Sequence, residues 1–295
     1  MILNVSGRTD IPAFYSNWFI NRYKAGFLDV RNPFYPKLVS RIYFKDVDLI
    51  LFCTKNPLPI LKYLKTIKQP IIFHITLTPY GKDIEPNIIS KTKIIEGIKE
   101  LSKIIDPKYI YIRYDPIFLN DKYTLEYHLK AFTKLCNLLA GYTKHIIVSF
   151  IDNYKNVENN LATLKIKAFT KEDYAFIGKN FSSIASTNHM TIQTCSEENT
   201  LFEYGFLKED CLPKSLAYKL TGKNYKTWSA RHNKYCHCAN MVDIGVYNSC
   251  PHFCKYCYAN YNEKEVVANY QKHNPNSSLL IGELTSTDEI KIRKD

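Results

Sequence analysis

One unit recurs along this chain and limits its fold more than any other feature. It is a short apolar run, then a polar cluster, then often a proline that opens a helical stretch. The runs are Ile2–Val5, Gly26–Val30, Val47–Cys53, Ile71–Ile75, Tyr109–Ile112, Ile146–Val148, Met190–Gln193 and Met241–Tyr247. Each has the length of a buried parallel strand, which is covered on both faces and needs no polar alternation. A proline pushes the residue before it to extended geometry, which suits a strand's end. Segments of helical period lie between the runs. Leu125, Leu129, Phe132, Cys136 and Leu139 step by four and three, with Gly141 where a helix ends, and Ile94, Ile98, Leu101 and Ile105 repeat the pattern. Tyr174, Ile177, Phe181 and Ile184 follow a Thr170-x-x-Asp173 capping signature. Eight strands alternating with helices predict an α/β fold, a single (β/α)8 TIM-barrel-like domain over residues 1–295. Residues 1–195 carry strands one to seven. Residues 196–240 form an irregular, cysteine-containing segment with a short helix near Lys214–Leu220 and a loop bearing Trp228, Arg231 and His232. Residues 241–295 supply the last strand, a cysteine loop and a C-terminal helix at about Ala259–Gln271, with a further strand at Leu279–Ile281.

A length of 295 residues suits one barrel, and 45% hydrophobic residues can fill its core without help from a metal. The N-terminus has no basic and apolar leader, and no apolar run approaches the ~18 residues of a membrane span. A cytoplasmic location with no membrane partner is therefore expected, and nine cysteines in a reducing compartment point to metal ligation rather than disulfides. The formal charge of +12 admits a nucleic-acid partner, but the basic residues form no block of five or more and read as solvated helix faces.

The densest chemistry lies in Cys250-Pro251-His252-Phe253-Cys254-Lys255-Tyr256-Cys257, a C-x3-C-x2-C loop. Three thiolates on one loop can each take one iron of a four-iron, four-sulfur cluster and leave the fourth iron open. A zinc knuckle completed by His252 or another cysteine is the alternative, and a structural disulfide comes last. A second metal site can be drawn from Cys195, Cys211, Cys236 and Cys238, as an auxiliary iron–sulfur cluster or a zinc, with His237 as an alternative ligand. Cys136, on an apolar helix stripe, reads as core.

In a parallel barrel, functional groups sit on the loops after the strands. Here those loops carry Arg8, Asp10, Lys55, Arg113 and Asp115 as candidate catalytic residues. Arg31, Asn32, Asn56 and Ser149 are candidates for cofactor binding, joined by Tyr256. The cations suit an anionic substrate or a cofactor carboxylate, and the two aspartates could orient them or bind ribose hydroxyls. The last strand should lie beside the first, bringing the Arg8–Asp10 loop to the cysteines.

The cysteine spacing, with Tyr256 before the last cysteine, resembles the cluster loop of radical S-adenosylmethionine (radical-SAM) enzymes. The resemblance implies a [4Fe-4S] cluster whose open iron binds the amino and carboxylate groups of S-adenosylmethionine, which is then split to a 5'-deoxyadenosyl radical. Ser6-Gly7-Arg8-Thr9-Asp10-Ile11-Pro12, Val30-Arg31-Asn32-Pro33, Thr54-Lys55-Asn56-Pro57, Arg113-Tyr114-Asp115-Pro116, and Val242-Asp243-Ile244-Gly245 through Cys250–Asn260 together resemble a bacterial family catalogued as domain of unknown function 1848. That family carries a radical-SAM-like C-terminal cysteine cluster, which maps here onto Cys250, Cys254 and Cys257 alone. Cys53 stands where relatives carry tryptophan and takes no metal role. In radical-SAM enzymes the loop follows the first strand, so a late loop implies a permuted order, and Gly282-Glu283 is only a faint echo of their Gly-Gly-Glu segment. The expected function is reductive cleavage of S-adenosylmethionine followed by hydrogen abstraction from a small-molecule substrate, with flavodoxin or ferredoxin as electron donor. The alternatives are nucleic-acid repair or modification by the same chemistry, and a non-enzymatic zinc or iron–sulfur protein.

Overall fold

The computed structural model describes residues 1–152, 158–198, 201–228 and 235–294, so Arg231 and His232 lie outside the described residues. Seven of the eight apolar runs enter one sheet: β1 (Ile2–Val5), β4 (Leu49–Thr54), β5 (Ile71–Thr76), β6 (Ile110–Ile117), β7 (His145–Phe150), β8 (Thr191–Thr194) and β9 (Met241–Asp243). All pairings are parallel, in the order β8-β7-β6-β5-β4-β1-β9.

The expected closed eight-stranded barrel is not formed. The second run, β2 (Phe27–Arg31), leaves the sheet and pairs antiparallel with β3 (Leu38–Tyr43), which in turn pairs with β10 (Glu289–Ile292). The link from β2 to β3 is residues 32–37, which can turn a hairpin but not make the dozen-residue crossover a parallel neighbour needs. Among the described residues β8 and β9 end the sheet without pairing to each other. The adjacency of first and last runs does hold, since Ile2, Leu3 and Asn4 pair with Met241, Val242 and Asp243. The strand expected at Leu279–Ile281 is reduced to a single bridge from Leu279 to Asp29.

Helices form where the period and the caps agree. The helix α1 (Ile11–Phe14) is capped by Asp10, and α2 (Ser16–Ala25) follows it; α3 is Leu58–Leu61 and α4 is Lys91–Leu101. The stripe of α5 (Leu125–Leu139) buries His128, Phe132, Leu135, Cys136 and Leu139. After the short α6 (Glu158–Thr163), α7 (Lys171–Thr187) starts in the capping box of Thr170 and Asp173. The last two are α8 (Lys214–Thr221) and α9 (Glu263–Gln271), the latter starting four residues later than expected because Asn262 caps it.

The two faces of the sheet differ. Leu3, Val5, Phe52, Phe73, Ile112 and Val148 point to one face and share a core with Trp18 of α2, Ile94 and Ile98 of α4, Phe132 of α5 and Phe181 of α7. Each such aliphatic or aromatic side chain contributes about 1.5–3 kcal/mol on burial. Ile2, Leu49, Leu51, Ile72, Tyr111 and Ile147 point the other way, against Cys211, Leu212, Ala217 of α8, Cys238 and Ala239. Strand register sets polar rows on this second face. Cys53, His74, Tyr111, His145 and Thr191 are lateral neighbours, and so are Thr76, Arg113, Ile147 and Gln193 one pleat on.

Candidate functional site

The site forms at the carboxyl end of the parallel strands, where loops from β1, β4, β6, β7, β8 and β9 converge, the usual place for ligands on such sheets. The loops after β1 and β9 are pressed together. A Cβ on Gly7 would stand 2.6 Å from the Asp243 carboxylate, and one on Gly245 would stand 2.9 Å from the backbone nitrogens of Arg8 and Thr9. Arg8 bonds Asp243 through Nε at 2.6 Å and its carbonyl through Nη2 at 3.2 Å. The Arg8 partner is thus Asp243, neither Asp10 nor Asp115.

Side chains hold the cysteine loop's backbone in place. The Asn260 carboxamide oxygen accepts from the Ser249 and Cys250 amides at 3.2 and 3.3 Å, while its nitrogen donates to the Cys250 carbonyl at 2.8 Å. Asn248 accepts from the Tyr261 and Asn262 amides. Asn248 (φ 50°) and Phe253 (φ 55°) flank Cys250 in left-handed geometry, strain of the kind that collects at functional loops. Asp10 ties the loop to the sheet. Its buried carboxylate accepts from the Ala13 amide (3.1 Å), the Thr54 hydroxyl (2.7 Å), the Lys55 amide (2.7 Å) and His252 Nε2 (2.8 Å). His252, offered as an alternative ligand, is thereby drawn to Asp10, and its Nδ1 is buried without a partner.

Cys250 and Cys254 are buried and Cys257 is half-buried; Cys250 feels the charge of Cys257, and Cys254 that of both others. Burial pushes all three thiols up from their ordinary value. For Cys254 the nearby Lys55 ammonium opposes that rise. Lys55 bonds Glu85 at 2.8 Å, and Lys91 bonds the other Glu85 oxygen at 2.5 Å. Thr78 and Tyr256 also donate to Glu85. Burial would raise the Glu85 carboxyl, but the two ammonium groups override it and hold it below the usual carboxylate range. The group therefore carries one net positive charge against the loop. Lys55 also lies 5.4 Å from the Tyr256 ring centre.

Further along the sheet edge Arg113 bonds Asp115 (Nε at 2.9 Å, Nη2 at 2.5 Å), and Ser149 donates to the same carboxylate. Arg113 also hydrogen-bonds Cys195, so it reaches from Asp115 to the second cysteine group. Burial would lower the Arg113 pKa, but Cys195 and Asp115 raise it, keeping the guanidinium charged.

Cys195, Cys211, Cys236 and Cys238 come together although three separate segments supply them. The Cys211 and Cys238 sulfurs are 3.2 Å apart, with the Cys195 thiol near Cys211 and the Cys236 thiol near Cys238. All four line a cavity of about 280 Å³. His74 lies beside Cys211 and keeps Nε2 buried without a partner; burial pushes its pKa down to about 4. None of the nine cysteines is in a disulfide. Among the described residues, no three His, Cys, Asp or Glu side chains are arranged as they stand to hold one metal ion.

Several expected residues lie elsewhere. Arg31 is on the three-stranded sheet, paired with Asp288. Asn32 accepts from the Phe34 and Tyr35 amides and Asn56 from the Leu58 amide, so both shape turns. Exposed His237 faces Asp210, Glu283 bonds Asn274, and Cys53 is hydrogen-bonded to Asn4. Sequence reasoning missed Glu85, Lys91, His74, Asp243 and Asn260. Only Asp243 and Asn260 carried a signal, inside the segments shared with the resembled family.

Residues 2–259 match the model of a family described as a domain of unknown function, DUF1848, and the chain belongs to that family. The match spans the whole seven-stranded sheet and all nine cysteines. No curated protein and no solved structure matches the chain.

Proposed function

We propose that this member of the DUF1848 family is a radical-SAM-type iron–sulfur enzyme whose Cys250, Cys254 and Cys257 hold a [4Fe-4S] cluster. The observation that carries the reading is the loop itself. Two buried thiols and one half-buried thiol share a strained, heavily hydrogen-bonded loop near the Lys55 ammonium at the carboxyl end of a parallel sheet. A cluster asks for one thiolate on each of three irons, and a C-x3-C-x2-C loop offers three thiols for them. When bound, the cluster supplies the electron that splits S-adenosylmethionine reductively.

The chain's own residues do the rest. Lys55, with Glu85 and Lys91, places a net positive charge beside thiols that ligation would deprotonate. Asp10 and Asn260 fix the loop before any cofactor arrives, so ligation does not have to order it. Arg113, Asp115 and Ser149 line the approach with fixed donors and acceptors that suit a polar, anionic small molecule. The burial of Cys250 and Cys254 keeps water from the reacting centre. A reductant of the flavodoxin or ferredoxin class would complete the system. No helix among the described residues is long and apolar enough to cross a membrane.

The test is anaerobic reconstitution with iron and sulfide, then incubation with S-adenosylmethionine and dithionite. Brown protein that releases 5'-deoxyadenosine is expected. Protein that takes up iron and sulfide yet yields no 5'-deoxyadenosine would overturn the enzyme assignment and leave a cluster-binding protein.

A further inference from the structure

We infer that Cys195, Cys211, Cys236 and Cys238 form a second metal centre that binds a single zinc-type divalent ion in a tetrahedral thiolate shell, not an auxiliary cluster. Sulfur spacing decides between the two. With metal–sulfur bonds of about 2.3 Å, a tetrahedral shell has sulfur–sulfur edges of about 3.8 Å. Thiolates on separate irons of a cluster stand roughly 6 Å apart, because each reaches a different metal. Here the Cys211 and Cys238 sulfurs are 3.2 Å apart, and each has another thiol within hydrogen-bonding reach, Cys195 for Cys211 and Cys236 for Cys238. All four side chains are at most 8% exposed. The Cys211 and Cys238 thiols touch directly, and among the described residues no set of three stands ready around an ion. Parting the central pair by about half an ångström reaches the tetrahedral edge, whereas a cluster would require nearly twice the present separation.

Charge and access agree with this assignment. Four thiolates around a divalent ion carry a net charge of about −2, and the Arg113 guanidinium already hydrogen-bonds Cys195. The cavity lined by all four cysteines gives an ion a route in. An ion there would tie the end of β8, the segment around Cys211 and the irregular stretch leading to β9 into one unit. That unit covers the polar face of the sheet, where Arg113 and His74 lie. The four-residue β8 and three-residue β9 leave those segments little regular structure of their own.

The centre is separable from the proposed cluster by using the full-length Cys250→Ala/Cys254→Ala/Cys257→Ala variant, in which the loop ligands are gone. Titrated anaerobically with cobalt(II), it should bind about one ion per chain, with thiolate-to-cobalt charge transfer and the visible bands of a tetrahedral site. Zinc should displace the cobalt one for one. Adding Cys211→Ser/Cys238→Ser should reduce uptake at least tenfold. Unreconstituted wild-type protein, checked by native mass spectrometry, gives the same reading if the triple variant does not fold. Absence of tetrahedral cobalt bands, a Cys211–Cys238 disulfide in anaerobically purified protein, or several irons with acid-labile sulfide in the loop variant would each overturn the single-ion assignment. Reconstituted wild-type protein that holds the ion yet forms no 5'-deoxyadenosine would count against the enzyme reading alone.

Discussion

The two cysteine groups are built in opposite ways. Cys250, Cys254 and Cys257 sit within eight residues, on a loop whose shape is set by Asp10, Asn248 and Asn260 rather than by its sulfurs. Cys195, Cys211, Cys236 and Cys238 come from three segments, which backbone bonds such as Cys195 to Val148 and Ala239 to Leu212 bring together and in which the Cys211 and Cys238 sulfurs touch. The first loop carries its thiols close together in sequence on a backbone ordered by other side chains; the second group is drawn from distant segments, with two of its sulfurs in direct contact. Preorganised thiols on one loop suit a reactive cluster, while thiols gathered from distant segments suit an ion that secures the fold.

The contrast breaks first under loss of the loop thiols. Replacing Cys250, Cys254 and Cys257 by alanine should lower S-adenosylmethionine cleavage by about 10³-fold or more, with circular dichroism unchanged, because the loop's anchors are not its sulfurs. Loss of the fold instead would mean that both regions depend on their thiols and the contrast fails. Next in size is Asp10→Ala, which leaves a buried four-bond carboxylate position empty and should cost about 3–5 kcal/mol in denaturant unfolding. Hydrogen exchange should rise in the cysteine loop and α1, with little change around Cys211. An equal rise in both regions would show that they are one cooperative unit.

Acid probes the strand they share. On α5, buried His128 uses both nitrogens, one with the Tyr114 hydroxyl of β6 and one with the Phe118 carbonyl, each at 2.9 Å. Burial pushes its pKa from 6.5 to about 4. The unfolded chain then takes up a proton that the native state refuses. Stability is complete above pH 6.5 and falls by roughly 3 kcal/mol as pH drops toward 4. His128→Gln should flatten that fall in a pH series of unfolding curves, and an equally steep fall would assign the lability elsewhere. The smallest effect belongs to Arg8→Lys. Its fork is spent on Asp243, so the change should lower stability by about 1 kcal/mol and leave S-adenosylmethionine affinity unaltered. Weaker binding in a calorimetric titration would place the guanidinium on the cofactor.

What the sequence revealed follows the same division. The cysteine spacing of the loop is visible because it is local, and seven strands were legible because buried parallel strands are apolar runs bounded by polar clusters. The barrel was not, because nothing in Gly26–Val30 distinguishes a hairpin strand from a crossover strand until the short link to Leu38 is recognised as a turn. Glu85 was missed for a related reason. Its partners Lys55, Lys91 and Tyr256 come from three other places in the chain, and only the fold brings their charges together. Arg31 misled because a strand-end arginine looks the same whether it faces a ligand or Asp288.

The most direct test of the central claim is electron paramagnetic resonance of the reconstituted, dithionite-reduced protein, recorded with and without S-adenosylmethionine. The account predicts the signal of a reduced [4Fe-4S] cluster that changes when S-adenosylmethionine is added, and that is absent from the Cys250/Cys254/Cys257 alanine variant. A cluster signal indifferent to S-adenosylmethionine, or one that persists without the three loop cysteines, would contradict it.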